Sequence, residues 1–583
     1  MFMQKQTQSL SMEELIQVLA VARGDRPADL LIKNVKILDL VCGEILESAL
    51  VLAGKTIAGV GPEYHDAAAI KVWDANGLTV VPGFIDGHLH IESSMMNPFE
   101  FEKMTLPLGT TTAICDPHEI TNVLGDDGFS WFLRCAQLMQ QNLFVQVSSC
   151  VPALPGHENS GATFSLEQMK QYHDDSYVLG MAEMMNFPGV INGAPEVLEK
   201  ILAFSDMAMD GHCPLLVGKA LNGYLAAGIQ TCHETISAAE GREKIQKGMS
   251  LIIREGSVAK NLDALAPLLT EFNSSQCFLC TDDRNPLEIA QDGHINSMIY
   301  RLINQHKIPL AVAYRVASFS AAKHFGLKRL GLVAPGYQAD LVFLSDLAQV
   351  KIEEVFIKGR PLAELGLEGS IEEKLRRSKA PLQNTMKRRP LAPELLTTIF
   401  SRGNYNVIEI IPGEIVTNHK KIFYDGAKFE DSDVLKIAVI ERHGKNIAPS
   451  LGLVKGFGLS CGAIASSVAH DSHNIIVVGK DEEDMACAVN NLIKIGGGFC
   501  VAERGKICAQ LALQIAGIIS KDSAKEIAAS LEKLKKETKR LGVLLPEPFL
   551  QLAFLALPVI PTLKITDMGL FDVRQFKFIS LKD

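Results

Sequence analysis

The sequence predicts an α/β protein built around a (β/α)8 TIM-like barrel. Flanking segments would make a composite β-sandwich, and an additional α/β or α+β domain would follow. Three observations predict this. Between Gly83 and about Leu330, eight apolar strand-like runs alternate with helix-like segments, over roughly the 250 residues that a closed barrel needs. The stretches on either side read instead as short strands with Gly/Asn turns. Residues of metal-ligand type recur at the same end of several of the eight runs, which favours closure over an open doubly wound sheet.

Residues 1–28 form an N-terminal segment in which Ser11 and Glu14 make a capping box opening an amphipathic helix. It lacks the apolar core and cleavage site of a signal peptide. Residues 29–82, with "DLLIKNVKILDL", "SALVLAGKTIAGVG" and "VWDANGLTVV", read as the first part of the sandwich. The barrel spans 83–333, with strands expected at 84–90, 110–116, 143–151, 178–184, 208–213, 229–233, 249–255 and 276–282. Residues 334–365, with "GLVAPGYQADLVFLSD" and "KIEEVFIKGR", return to short strands and complete the sandwich. The basic stretch within 366–394 reads as a solvated linker, and 395–583 as the C-terminal domain.

At 583 residues the chain exceeds what one core can serve. A net charge of -10 argues against nucleic acid or an anionic membrane as partner and leaves small molecules open. The longest late apolar run, "LQLAFLALPVIPTL", is too short and proline-broken to span a bilayer. Twelve cysteines occur singly, apart from Cys277 and Cys280, whose CxxC on a strand has no second pair and reads as core. A soluble chain in a reducing cytoplasm is expected.

The chemistry begins at "GFIDGHLHIESSMMNP". On a strand, His88 and His90 share one side, with Glu92 close behind. Two adjacent imidazoles inside a barrel are poorly satisfied unless something binds them. The fourth strand ends on Glu183, the fifth on His212, the sixth on His233 and the eighth on Asp282. All fall at the end where barrel enzymes keep their sites, so they are expected to converge on a metal centre. Alternation turns Cys213 and Cys232 away from it and lets only one of Asp282 and Asp283 face inward.

The runs "PGFIDGHLHIESSMMNP", "ICDPHEI", "CTDDRNP", "AYRVAS", "GLVAPGYQADLV" and "SHNIIVVG" resemble the amidohydrolase superfamily and, more narrowly, the bacterial adenine deaminases. The resemblance extends over essentially the whole chain. It implies the barrel with a composite β-sandwich, and one or two divalent metals. Manganese is the metal implied first, then iron, with zinc behind. Many members bridge two metals with a carboxylated lysine from the fourth strand. No lysine lies between Lys170 and Lys200, and Glu183 stands where the bridge is needed. One metal would then take His88, His90, Glu183 and Asp282, and the other Glu183, His212 and His233. A mononuclear alternative keeps His88, His90, His212 and Asp282 and frees His233 for catalysis.

The activity implied is hydrolytic deamination of adenine to hypoxanthine and ammonia, by attack of metal-activated water on the amino-bearing ring carbon. Asp282, Glu234 and His233 are the catalytic candidates, although Glu234 also reads as a carboxylate favouring the start of a helix. His118, Glu119 and Asp283 are expected to support the ligands. Asn97, Asn186, Arg284 and His473 are candidates to read the purine edge, and ordinary loop polarity explains them equally well. "SVAHDSHNIIVVG" suggests a C-terminal loop capping the barrel mouth, with a hydrogen-bonded turn as the rival. "KGFGLSCG" misplaces its third glycine for a nucleotide loop. A homo-oligomer, taken as a dimer, is expected. The rival functions are hydrolysis of another base and a catalytically silent barrel serving as a scaffold.

Overall fold

A computed structural model describes residues 9–583, so residues 1–8 of the expected N-terminal segment lie outside the described residues. The capping box forms as the sequence dictates. Glu14 N donates to Ser11 Oγ at 3.1 Å, Ser11 N donates to Glu14 Oε2 at 2.8 Å, and the helix Met12–Ala22 follows. That helix buries Val18 and Val21 against Leu31, Ala49 and Val51.

The chain next lays down β1 (Ala28–Leu38), β2 (Ile45–Ala53), β3 (Thr56–Val60), β4 (Ala69–Asp74) and β5 (Thr79–Pro82). It then enters the barrel with β6 (Phe84–Leu89), β7 (Thr110–Cys115), β8 (Asn142–Val147) and β9 (Val178–Met184). The second half is β10 (Ala208–Gly211), β11 (Thr231–Cys232), β12 (Ser250–Arg254) and β13 (Cys277–Cys280). Beyond it come β14 (Leu341–Asp346), β15 (Lys351–Ile357) and β16 (Arg360–Pro361). β14 pairs antiparallel with β5, so strands from both sides of the barrel form one eight-stranded sheet. The barrel's ends are thereby tied through that sheet.

The barrel strands pair in parallel as two arcs, β6 to β10 and β11 to β13. One seam closes where Asp282 N donates to His88 O at 3.1 Å; the other is bridged by Gly211 N donating to Thr231 Oγ1 at 3.0 Å. Ile85, Ile114, Phe144, Leu179, Ile252 and Phe278, from six different strands, pack in one cluster with Phe325. Residues on outer faces of opposite strands could not meet, so this cluster is the barrel's inner packing.

The stretch from 366 to 394 carries a short helix, Ile371–Arg377, and is held to the barrel by Trp131 Nε1 donating to Ser378 Oγ at 3.1 Å. The C-terminal part contains β17 (Gly403–Ile410), β18 (Thr417–Tyr424), β19 (Leu435–Ile440) and β20 (Ser450–Lys455). It continues with β21 (Ala463–Ser466), β22 (Ile475–Gly479), β23 (Gly498–Glu503) and β24 (Lys506–Ala512). These eight make one sheet, and alternation divides its faces. Ala438, Ile440 and Val477 face the helix Glu482–Ile495, whereas Ile437, Val439 and Val478 join a core continuous with Trp131 and Phe132 of the barrel's helical layer. A final three-stranded sheet, β25 (Leu563–Thr566), β26 (Gly569–Asp572) and β27 (Lys577–Ile579), completes the chain. No helix among the described residues is long and apolar enough to cross a membrane.

Candidate active site

The rim of the barrel gathers the residues that strand-end spacing singled out. Glu183, the penultimate residue of β9, lies at the centre. Its Oε1 is 3.5 Å from His90 Nε2, while its Oε2 accepts from His212 Nδ1 at 2.7 Å and lies 3.3 Å from His233 Nε2. Asp282 Oδ1 faces the first pair, 3.6 Å from His88 Nε2 and 3.3 Å from His90 Nε2. The rings of His88 and His233 stack at 4.1 Å. Burial raises the Glu183 carboxyl, but the imidazoles of His212 and His233 outweigh it and hold the group well below the usual carboxylate range.

The donor set fits divalent cations. Both ring nitrogens of His88, whose Nε2 faces Asp282 Oδ1, are buried without a hydrogen-bond partner among the described residues. Such atoms are costly to bury unless a ligand completes them. Oxygen and imidazole donors without thiolate suit zinc, manganese or iron. Glu183, His212 and His233 bring ligand atoms within 4.8 Å of one another, and so do His88, His233 and Asp282.

Around this core, His90 Nδ1 lies 2.9 Å from Asp116 O, which orients the ring. His118 Nδ1 sits 2.9 Å from Asp116 Oδ2 and 3.5 Å from Glu183 Oε1. Glu119 accepts from Ser93 Oγ at 2.7 Å and lies 3.5 Å from His470 Nδ1. Glu92 is wholly buried, and burial together with Glu119 pushes its carboxyl up to about 8. Arg254, at the end of β12, grips both carboxylate oxygens of Glu234 and donates from Nη1 to Asp282 Oδ2 at 2.9 Å. The signal for Arg254 was a lone basic residue closing the apolar run "SLIIR", and the sequence reading passed over it. Asp116 and Asp210 were also missed, the latter two residues before His212 and 3.6 Å from His88 Nδ1.

Above the ligands is a small, half-open cavity of about 30 Å³. Its floor is His90, His118, Glu183, Met185, His212, His233, Glu234, Asp282 and Asp283; Ile415, His470, Asp471, Phe554, Leu557 and Ile560 of the C-terminal part close it. Several expectations are corrected here. Asp282 and Asp283 both line the cavity, because Asp282 adopts φ +53° and the strand alternation breaks at that residue. Asn97 does not line it: its Oδ1 caps the helix Pro98–Thr105 by accepting from Phe99 N and Glu100 N, and its Nδ2 donates to Ser520 O. Asn186 likewise caps Phe187–Asn192, and Arg284 donates to Glu255 O at 3.0 Å. His473 faces Glu119 at 4.0 Å, and its neighbours His470 and Asp471 reach the cavity instead.

Buried imidazoles and carboxylates converging on the rim of an eight-stranded parallel barrel define a hydrolase class able to bind metal. Residues 79–362 match the amidohydrolase family, and residues 414–577 match the adenine deaminase C-terminal domain. The chain is 62% identical over 578 residues to an adenine deaminase of Bdellovibrio bacteriovorus, covering 99% of each. It is 53% identical to adenine deaminases of Shewanella halifaxensis, covering 100% of this chain and 99% of that one, and of Escherichia coli, covering 98% of each. The chain belongs to the adenine deaminase family of amidohydrolases.

Proposed function

We propose that the protein is a hydrolase that deaminates adenine to hypoxanthine and ammonia, breaking the exocyclic C–N bond of a cyclic amidine. The observation that carries this reading is the division of Glu183, one oxygen toward His90 and the other toward His212 and His233, beneath a half-open cavity in a chain of this family. His88, His90, Glu183 and Asp282 would hold one divalent cation, and Glu183, His212 and His233 a second. Manganese is the favoured metal, then iron, then zinc. Such cations supply Lewis acidity and make water nucleophilic near neutral pH.

The chain's own groups manage the protons. Water forms the new C–O bond at the amino-bearing carbon; one of its protons ends on the adjacent ring nitrogen and the other leaves with ammonia. Asp282, which lines the cavity, is the proton carrier: Arg254 occupies its Oδ2, and its Oδ1 faces His88 and His90. Glu234, fixed by Arg254, stands 3.6 Å from His233 Nε2 as the second carrier. His118 and Asp116 keep the ligands oriented.

The test is ammonia release from adenine, adenosine, guanine and cytosine by the manganese-supplied chain, alongside Glu183→Gln. Release from adenine that disappears in the variant is expected. Release from cytosine alone would move the substrate, and failure to bind metal stoichiometrically would favour a silent scaffold. A cytoplasmic setting is supported by twelve free cysteines, eight of them buried. A homodimer, checked by light scattering, is the proposed assembly.

A further inference from the structure

The barrel makes only part of the cavity. Apart from Met185, every barrel side chain on its surface is titratable, whereas the C-terminal part contributes Ile415, Phe554, Leu557 and Ile560 with one polar pair, His470 and Asp471. The lining matches a flat heteroaromatic ring in one orientation. The edge to be attacked rests on the polar floor, the faces lie against the apolar wall, and the far edge meets the polar pair.

This wall is held in place. Lys564, wholly buried, donates from Nζ to Ile415 O at 2.7 Å and to Phe554 O at 2.9 Å. The His470 ring stacks on Phe554 at 4.6 Å with 11° between planes. Asp471 Oδ1 is 3.7 Å from His118 Nε2, and the other nitrogen of that ring is 3.5 Å from Glu183 Oε1. The Asp471 carboxylate therefore stands one imidazole beyond the central ligand. Its Oδ2 is buried and has no hydrogen-bond partner among the described residues. An acceptor left so is costly, and a donor on the bound molecule would complete it.

Resting on the function proposed above, we infer that Asp471 sets specificity for the free base: its Oδ2 accepts the N–H of the purine's five-membered ring. Phe554 and its carbonyl clamp on Lys564 position the wall beside it. A base substituted at that nitrogen has no hydrogen to give. It would leave the carboxylate oxygen unmatched and push its substituent into the wall. Sites built around a hydrogen bond reject partners lacking it far more strongly than apolar pockets reject an extra group.

The manganese-loaded full chain is assayed on adenine and on 9-methyladenine, together with Asp471→Ala, Asp471→Asn and Phe554→Leu, with metal content measured for each. The native chain is expected to prefer adenine by about 10²-fold or more. Asp471→Ala should raise KM for adenine about 10- to 100-fold, with a smaller change in kcat and unchanged metal content, and should shrink the preference. Asp471→Asn, which keeps an acceptor oxygen, should recover part of the loss. Equal turnover of the two bases by the native chain overturns the inference without any variant. So does an unchanged KM in Asp471→Ala, or a loss explained by lost metal. If the native chain releases no ammonia from adenine, the function itself falls and this inference with it; if it does, only the specificity is at stake.

Discussion

The floor and the wall of the cavity are built by opposite strategies. On the floor, isolated charged and imidazole side chains arrive from the ends of separate strands, each compensated by a neighbour such as Arg254 or Asp116. In the wall, apolar side chains dominate and a single buried lysine satisfies two backbone carbonyls. The floor can afford so much buried polarity because its members neutralise one another and have the donor atoms to hold cations. Such a floor is stiff in its chemistry and intolerant of exchange. The wall excludes water and shapes the space, so its residues should trade affinity rather than the capacity for reaction.

Substitutions can break or sharpen this contrast. Removing the central ligand should have the largest effect. Glu183→Gln should lose metal, and its activity should fall by more than the roughly 10- to 100-fold that follows loss of a ligand's supporting partner. Elemental analysis and kcat measure both. Arg254→Met comes next, since it removes the guanidinium that both buried acids, Glu234 and Asp282, share. A stability loss of about 3–5 kcal/mol is expected in denaturant melts, with activity down about 10- to 100-fold. A floor variant that kept full activity would erase the distinction.

Wall substitutions should be milder. Phe554→Leu removes the stacking on His470 and should cost about 0.5–1.5 kcal/mol of binding, read as KM, with metal content intact. A pH dependence tests the wall through its buried lysine. Burial lowers the Lys564 ammonium to about 7 from its ordinary 10.5, so between those values the unfolded chain carries a proton there that the folded chain lacks. Stability therefore rises with pH across that window and is penalised below it. Relative to Lys564→Met, the native chain should gain melting temperature from pH 7 to 10; a constant difference would show that the lysine is charged when folded.

How much of this was legible in the sequence follows the same division. The floor could be read because strand periodicity is local: His88 and His90 two apart, and Glu183, His212, His233 and Asp282 each at a strand end, are visible letter by letter. The same rule failed at Asp282 and Asp283, where positive φ breaks the alternation. Asn97 and Asn186 misled because a loop amide beside a site and a helix cap look alike until the helix is seen. Arg254 was hidden because its partners lie 20 and 28 residues away.

By itself the sequence determined the eight alternating units, the capped first helix, the ligand types and the family, since each depends on neighbours within a few residues or on motifs preserved whole. Tertiary structure alone decided which oxygen of Glu183 faces which histidine, that Arg254 locks two carboxylates together, and that Phe554 and Asp471 line a cavity begun hundreds of residues earlier at His90. The reason is physical. Periodicity constrains the direction of a side chain along its own strand, but which distant surfaces meet is settled by packing, and that is a property of the folded whole.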